Sequence, residues 1–222
     1  MQLFLLCTLF TALAAVPWRP TPPCAAPAGI VAPAVTESMC SREVARRGDV
    51  TVREMGLPAS ETLVSSAFSA PQWDEIVGYG VSSVLDYFLG DNVPNHKNIL
   101  SARTTPVTFR QRRYSNGTVF EWISAMMVST SAFPVTSAIP APVDPIKLEP
   151  VGSRLVAVVY LRTSAFPSED DFNAACAGIT ADTLPVGYAV NSTSAWSPTF
   201  AIYSAEESQK YESECWLEVV KS

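Results

Sequence analysis

The sequence predicts an α+β domain in which duplicated hairpin-helix-strand-pair units form one curved antiparallel sheet, or distorted eight-stranded barrel, flanked by two helices. Three observations carry this expectation. Short stretches rich in β-branched and aromatic residues recur along the chain, only two segments carry helical spacing, and the order of these elements repeats after a proline-rich segment. A chain of 222 residues with 48% hydrophobic and 16% charged residues can bury a sizeable core.

The elements follow in order. Residues 1–16, MQLFLLCTLFTALAAV, form an apolar run of signal-peptide length, too short for a stable membrane anchor, with Ala12-Leu13-Ala14 as a small-x-small cleavage pattern. A signal peptide is therefore expected over 1–14, and a Pro/Ala-rich extension without helical or alternating periodicity over 15–47. Within the main domain, 48–222, the stretch DVTVREM (49–55) alternates as a half-buried strand, and a turn at Gly56-Leu57-Pro58 leads to ETLVSSAFS (61–69) as a β-hairpin. In 71–90, Trp73, Val77, Val81, Val84 and Phe88 fall at helical spacing, with acids in the first turn and glycine at the stop. ILSARTTPVTF (99–109) reads as a strand interrupted by Pro106. It pairs with TVFEWISAMMV (118–128) across the Asn116-Gly117 turn.

The plan then repeats. A first half, 48–128, gives way to a proline-rich linker, 129–145, and a second half, 146–220. IKLE and RLVAVVYLR form its strand pair. Ser168 caps a helix with Phe172, Cys176 and Ile179 on one face, and VGYAVNS and CWLEVV supply the final strands. Duplication of this kind predicts a pseudo-twofold arrangement.

A formal net charge of −6 argues against nucleic acid and anionic membrane surfaces as partners, and no mature stretch is apolar enough to span a bilayer. The short basic run Arg110, Arg112 and Arg113 reads as a solvated strand end. Asn116-Gly117-Thr118 and Asn191-Ser192-Thr193 are glycosylation sequons, which together with the leader point to a secreted glycoprotein. Loss of Cys7 with the leader leaves Cys24, Cys40, Cys176 and Cys215, an even set suited to an oxidising compartment. Three pairings are open to them. The preferred one joins Cys24 to Cys40 and Cys176 to Cys215, because Cys176 faces the sheet. Their spacings do not resemble a zinc or redox pair.

VTVRE, DYFLGDN, TTPVTF and SECWLEV occur in an order and spacing that resembles the SOUL haem-binding family, over roughly residues 48–220; APVDPIKLEPVGSRLVAVVYLR is similar to that family's entry to its second half. The resemblance implies a binding protein for haem, another tetrapyrrole or a similar flat hydrophobic ligand, held against the first helix. Carried over residue by residue, Val77, Val81, Val84, Leu85 and Phe88 supply its apolar surface. The basic residues that meet propionates in the family do not carry over: Gly78 and Asp86 occupy those positions, and Glu54 stands where some members have an axial histidine. The lone histidine, His96, is the candidate axial ligand, set against an ordinary exposed loop role. Met126 and Met127 also carry ligating sulfur, although adjacent strand residues face opposite ways.

No catalytic constellation emerges. A nucleophile elbow is missing, and the acidic pairs open helices or lie in loops. Two other functions compete with ligand binding. One is an extracellular scaffold or protein-interaction domain that has lost haem binding; the weaker one is a hydrolase using Glu54 and Glu121, provided that their strand registers aim both into one cleft.

Overall fold

The computed structural model describes residues 38–56, 61–69, 72–93, 96–113, 119–194, 198–203 and 211–222. The signal peptide over 1–14, most of the 15–47 extension, Cys24 and Asn116 lie outside the described residues. The strands are β1 (Ser41–Arg47), β2 (Val50–Met55), β3 (Thr62–Phe68), β4 (Asn92–Val93), β5 (Arg103–Arg113), β6 (Val119–Val128), β7 (Ala141–Pro142), β8 (Lys147–Pro150), β9 (Arg154–Thr163), β10 (Tyr188–Val190), β11 (Thr199–Tyr203) and β12 (Tyr211–Lys221). Helix α1 runs Trp73–Leu89 and α2 runs Glu169–Ala177.

One curled antiparallel sheet dominates, in the order β1-β2-β9-β12-β11-β5-β6-β3-β8, with β10 paired to the far end of β12; β4 and β7 pair separately. The order carries the expected duplication. If β2, β3, β5 and β6 correspond to β8, β9, β11 and β12, exchanging the halves reverses the order, so a pseudo-twofold axis passes between β5 and β11. The elements within each half follow the same sequence, with α1 and α2 as equivalents.

The pairing corrects four local expectations. β2 does not form a hairpin with β3: it pairs β1 and β9, while β3 pairs β6 and β8. Likewise β8 does not pair β9; the halves exchange their first strands. Residues 41–47, expected to belong to the extension, form edge strand β1. Finally, β12 lies between β9 and TFAIY of β11, a strand not expected, whereas VGYAVNS contributes the three-residue β10, which pairs only the far end of β12. Alternation specifies which face a residue takes, but not which strand lies beside it.

Both helices cover one face. α1 opens with Asp74 and Glu75, complementing the helix dipole, and ends at Gly90, whose φ of 131° suits a residue without Cβ. Ser168 caps α2 through a capping box with Asp171. Trp73 of α1 and Phe172 of α2 meet near the pseudo-axis, with ring centroids 5.6 Å apart, and Phe172 stacks on Phe200 at 4.7 Å. Cys176 and Cys215 form the expected disulfide, with Cα atoms 5.5 Å apart, tying α2 to β12. Cys40 is also disulfide-bonded.

Pro106 sits where the β5–β6 register shifts, between Arg103 and Val107. This is the expected interruption, and the Thr104 hydroxyl donates to the Met127 carbonyl at 2.7 Å across it. No helix among the described residues is long and apolar enough to cross a membrane.

Candidate ligand-binding cleft

The helix-free face is the candidate site because the sheet curls around it. Met55 of β2 and Thr108 of β5 are four strands apart in sheet order, about 19 Å in a flat sheet, yet both line one small cavity. Met39, Val151, Arg154, Val156, Thr199 and Trp216 complete its wall. Its free volume is about 20 Å³, room for roughly one water. Around it lies a hydrophobic cluster that adds Leu63, Met127, Ala201 and Tyr203.

Charged groups frame this apolar centre. Glu214 is fully buried and accepts three hydrogen bonds: from Arg53 Nη1 at 2.7 Å, from the Tyr203 hydroxyl at 3.0 Å and from Trp216 Nε1 at 2.8 Å. A buried carboxylate requires such saturation to remain charged. Burial raises the Tyr203 hydroxyl well above the ordinary phenol range, and the Glu214 charge adds to the effect. Arg110 is buried, chiefly lowering its guanidinium, and pairs with Glu149 at 3.0 Å. Burial alone would raise Glu149; the hydrogen bond from Ser65 and the charge of Arg110 overcome it and hold the carboxyl below its usual range. Arg112 pairs with Glu121, and Arg162 lies 3.4 Å from Glu212. Arg154, on the cavity wall, is brought down to about 10, mainly by burial, and Glu218 opposes that effect. It also borders an open outer groove of about 550 Å³, which carries mixed charge from Arg42, Glu54, Glu218 and Lys221.

The sequence-derived candidates lie elsewhere. Val84 and Phe88 are fully buried under α1 against Val64, Met126 and Val128; Leu85 packs at the margin of that cluster, and Val77 and Val81 at the margin of its neighbour. Their shared helical face is thus brought together as core, against the sheet face opposite the cavity. His96 is exposed in the loop after α1, at φ 47°, with Nδ1 3.2 Å from the Gly90 carbonyl. Buried Asn92 fixes that loop by bonding the Tyr87 and Lys97 carbonyls and the Lys97 amide. Asn191 donates through Nδ2 to Glu218 and accepts from Thr193. Met127 faces the inner cluster and Met126 the helices, as strand alternation requires. Glu54 and Glu121 do not converge: Glu54 pairs with Arg42, Glu121 with Arg112, and the registers put them on opposite faces. Arg110, expected to be solvated, is buried by its pair with Glu149. Among the described residues no group of three or more His, Cys, Asp or Glu side chains is placed to hold a metal ion.

Sequence reasoning missed the inner charged network. Its signal was present in YESECWLEV, where Glu212, Glu214, Trp216 and Glu218 recur at period two, and in Arg53, Arg110 and Arg154 at equivalent phases of their strands.

No family model matches the chain, and no curated protein matches it. Its fold is similar to a solved cryo-EM structure of an EcmrR–DNA complex, at TM-score 0.50 and 11% identity, over 78% of this chain and 57% of that one. The chain therefore spans little more than half the length of that protein. A structure of SAV2435 bound to tetraphenylphosphonium aligns at TM-score 0.40 and 13% identity, over 78% of this chain and 94% of that one. At 11% identity the likeness to the first of these concerns the fold alone.

Proposed function

We propose that the chain is a secreted, glycosylated SOUL-like binding protein, and that its inner cleft takes haem, another tetrapyrrole or a similar flat hydrophobic ligand. The observation that carries this reading is the convergence of Met39, Met55, Val156 and Trp216 from distant parts of the chain on one cavity that also has Arg154 in its wall. An apolar wall with a few placed polar groups is the usual build of a small-molecule site, and a guanidinium suits the carboxylate that many flat apolar ligands carry. The family resemblance in VTVRE, TTPVTF and SECWLEV supports the same class. The site differs from the one the resemblance implies, since the α1 valines and Phe88 pack in the core.

Haemin titration of the purified protein tests the reading. Binding at micromolar ligand gives a shifted Soret band and tryptophan quenching through Trp216; the absence of both changes would rule out haem. His96→Ala leaves the Soret band unchanged if His96 is the exposed loop residue its position suggests, and a changed band would restore it as an axial ligand.

The scaffold alternative is favoured by one observation, the cavity volume of about 20 Å³. It predicts that haemin fails to bind and that crosslinking on secreting cells recovers a protein partner.

A further inference from the structure

We propose that the open outer groove, where β2 ends, β9 begins and β12 ends, is a binding site for apolar ligands that carry one carboxylate. It is separate from the inner cleft and stands without the reading given to that cleft. Small-molecule sites measure about 300–1,000 Å³, and this groove offers about 550 Å³. Its floor is set by strand register. Arg42, Glu54, Leu155 and Val219 stand opposite one another across β1, β2, β9 and β12, on the face that α2 partly covers. α2 has nine residues against seventeen in α1, and none of them lines the groove. That end of the outer face is therefore left open beside Leu155, with Val44 and Val220 at its rim, 38% and 46% exposed.

The charges around this apolar floor favour an anion. Glu54 accepts from Arg42, and Glu218 accepts from Asn191 Nδ2 at 3.1 Å and from Ser194 Oγ at 2.7 Å, so both acids of the groove are already engaged. Lys221 takes part in no ion pair or side-chain hydrogen bond among the described residues, and it stands directly opposite Tyr188 in the β10–β12 register. Arg154 adds a second cation, and the burial that brings it down to about 10 is a penalty that a carboxylate beside it would offset. The ammonium and guanidinium thus receive the carboxylate while Tyr188 and Leu155, both half-buried, take the alkyl or aryl chain. A second carboxylate on the ligand would be repelled by Glu54 and Glu218, which is why one is expected.

Equilibrium dialysis of the full chain against radiolabelled decanoate, its methyl ester and acetate tests the site. Decanoate should bind one to one, and the uncharged ester and the chainless acetate should each bind at least about tenfold more weakly. Lys221→Glu and Val220→Asp, both at exposed positions, should each weaken decanoate by at least about tenfold. Lys97→Glu, the same charge change outside the groove, should leave it unchanged. Absence of decanoate binding would overturn the proposal. Equal binding of decanoate and its ester would do so as well, by reducing the groove to an apolar surface. Full affinity in both groove variants would place decanoate elsewhere and have the same consequence. Failure of haemin to bind bears on the inner cleft alone, and a decanoate site that Lys221→Glu and Val220→Asp abolish sustains the groove beside that failure.

Discussion

Glu214 concentrates the energetics of the inner face in one side chain. Its carboxylate is fully buried, and Arg53, Tyr203 and Trp216 occupy its acceptor sites. Glu214→Gln leaves the Arg53 guanidinium, only 12% exposed, without its counter-charge. Breaking a buried pair from one side costs about 3–5 kcal/mol. Tyr203→Phe removes one donor of three and should cost about 1–2 kcal/mol. Urea denaturation of the two variants should preserve that order; equal losses would mean that the ion pair contributes no more than the phenol. Alkali reports on Tyr203 and on Tyr87 of α1. Burial raises Tyr87 to about 12, with its hydroxyl donating to the Pro140 carbonyl at 2.6 Å, and raises Tyr203 well above its ordinary value. Below pH 10 both folded and unfolded chains keep these protons, so their stabilisation is complete. Above pH 10 the unfolded chain releases them first, and stability falls as pH rises through the folded values. The two tyrosines should therefore lower the denaturation midpoint from about pH 10 toward 12, against an opposite contribution from Arg154, which burial brings down to about 10, and Tyr87→Phe should remove part of the tyrosine-driven decline relative to wild type.

At the scale of elements, α1 contains a paired test of packing against propensity. A Cβ at Gly80 would lie 2.9 Å from Phe109 Cε1 and from Ser124 Cβ, and 3.0 Å from Phe68 Cζ; at Gly78 it would meet nothing within 4 Å. Alanine gains about 1 kcal/mol of helix propensity at either position, but overpacking costs about 1–3 kcal/mol. Gly78→Ala should stabilise by about 1 kcal/mol and Gly80→Ala should destabilise by up to about 2 kcal/mol net, both readable as shifts in denaturation midpoint. A stabilising Gly80→Ala would show that α1 can move off the sheet. The helix itself was legible in the sequence, because its apolar spacing, acidic start and Gly90 stop all agree. The cap of α2 was legible for the same reason, being set by local spacing, whereas the Cys176–Cys215 bridge, 39 residues apart, was one preferred pairing of three, chosen because Cys176 lies on the sheet-facing side of its helix. The inner charged network was not. Arg53, Glu212 and Glu214 alternate with apolar residues as a solvated face does, and only curling of the sheet turns that face inward. Pattern alone does not distinguish a polar face open to water from one folded upon itself. The α1 valines and Phe88 misled by the same ambiguity, since an apolar stripe marks burial whatever covers it.

For the whole molecule, the strand exchange between halves decides how it folds. β2 belongs to the first half but pairs β9 of the second, β8 returns to pair β3, and β5 and β11 join the halves at the pseudo-axis. This interleaving could not be read from alternation, which is why DVTVREM and ETLVSSAFS resembled a hairpin. It also distributes each core across both halves: the inner cluster needs Leu63 and Met127 from one and Val156 and Trp216 from the other, and the aromatic cluster needs Trp73 and Trp122 together with Phe172 and Phe200. A fragment of residues 48–128 retains only the β5-β6-β3 sheet with α1, and it exposes apolar surface on both faces. β2 is left with no neighbour, since β1 precedes the fragment and β9 follows it. Neither 48–128 nor 146–220 should therefore show a cooperative thermal transition by circular dichroism or calorimetry. Mixing the two should restore one, because every exchanged pairing between the halves is antiparallel and intermolecular association can supply it. A cooperative transition in the first fragment alone would place the stability of the domain within one repeat, and the interleaved sheet would then be a docking of two finished units.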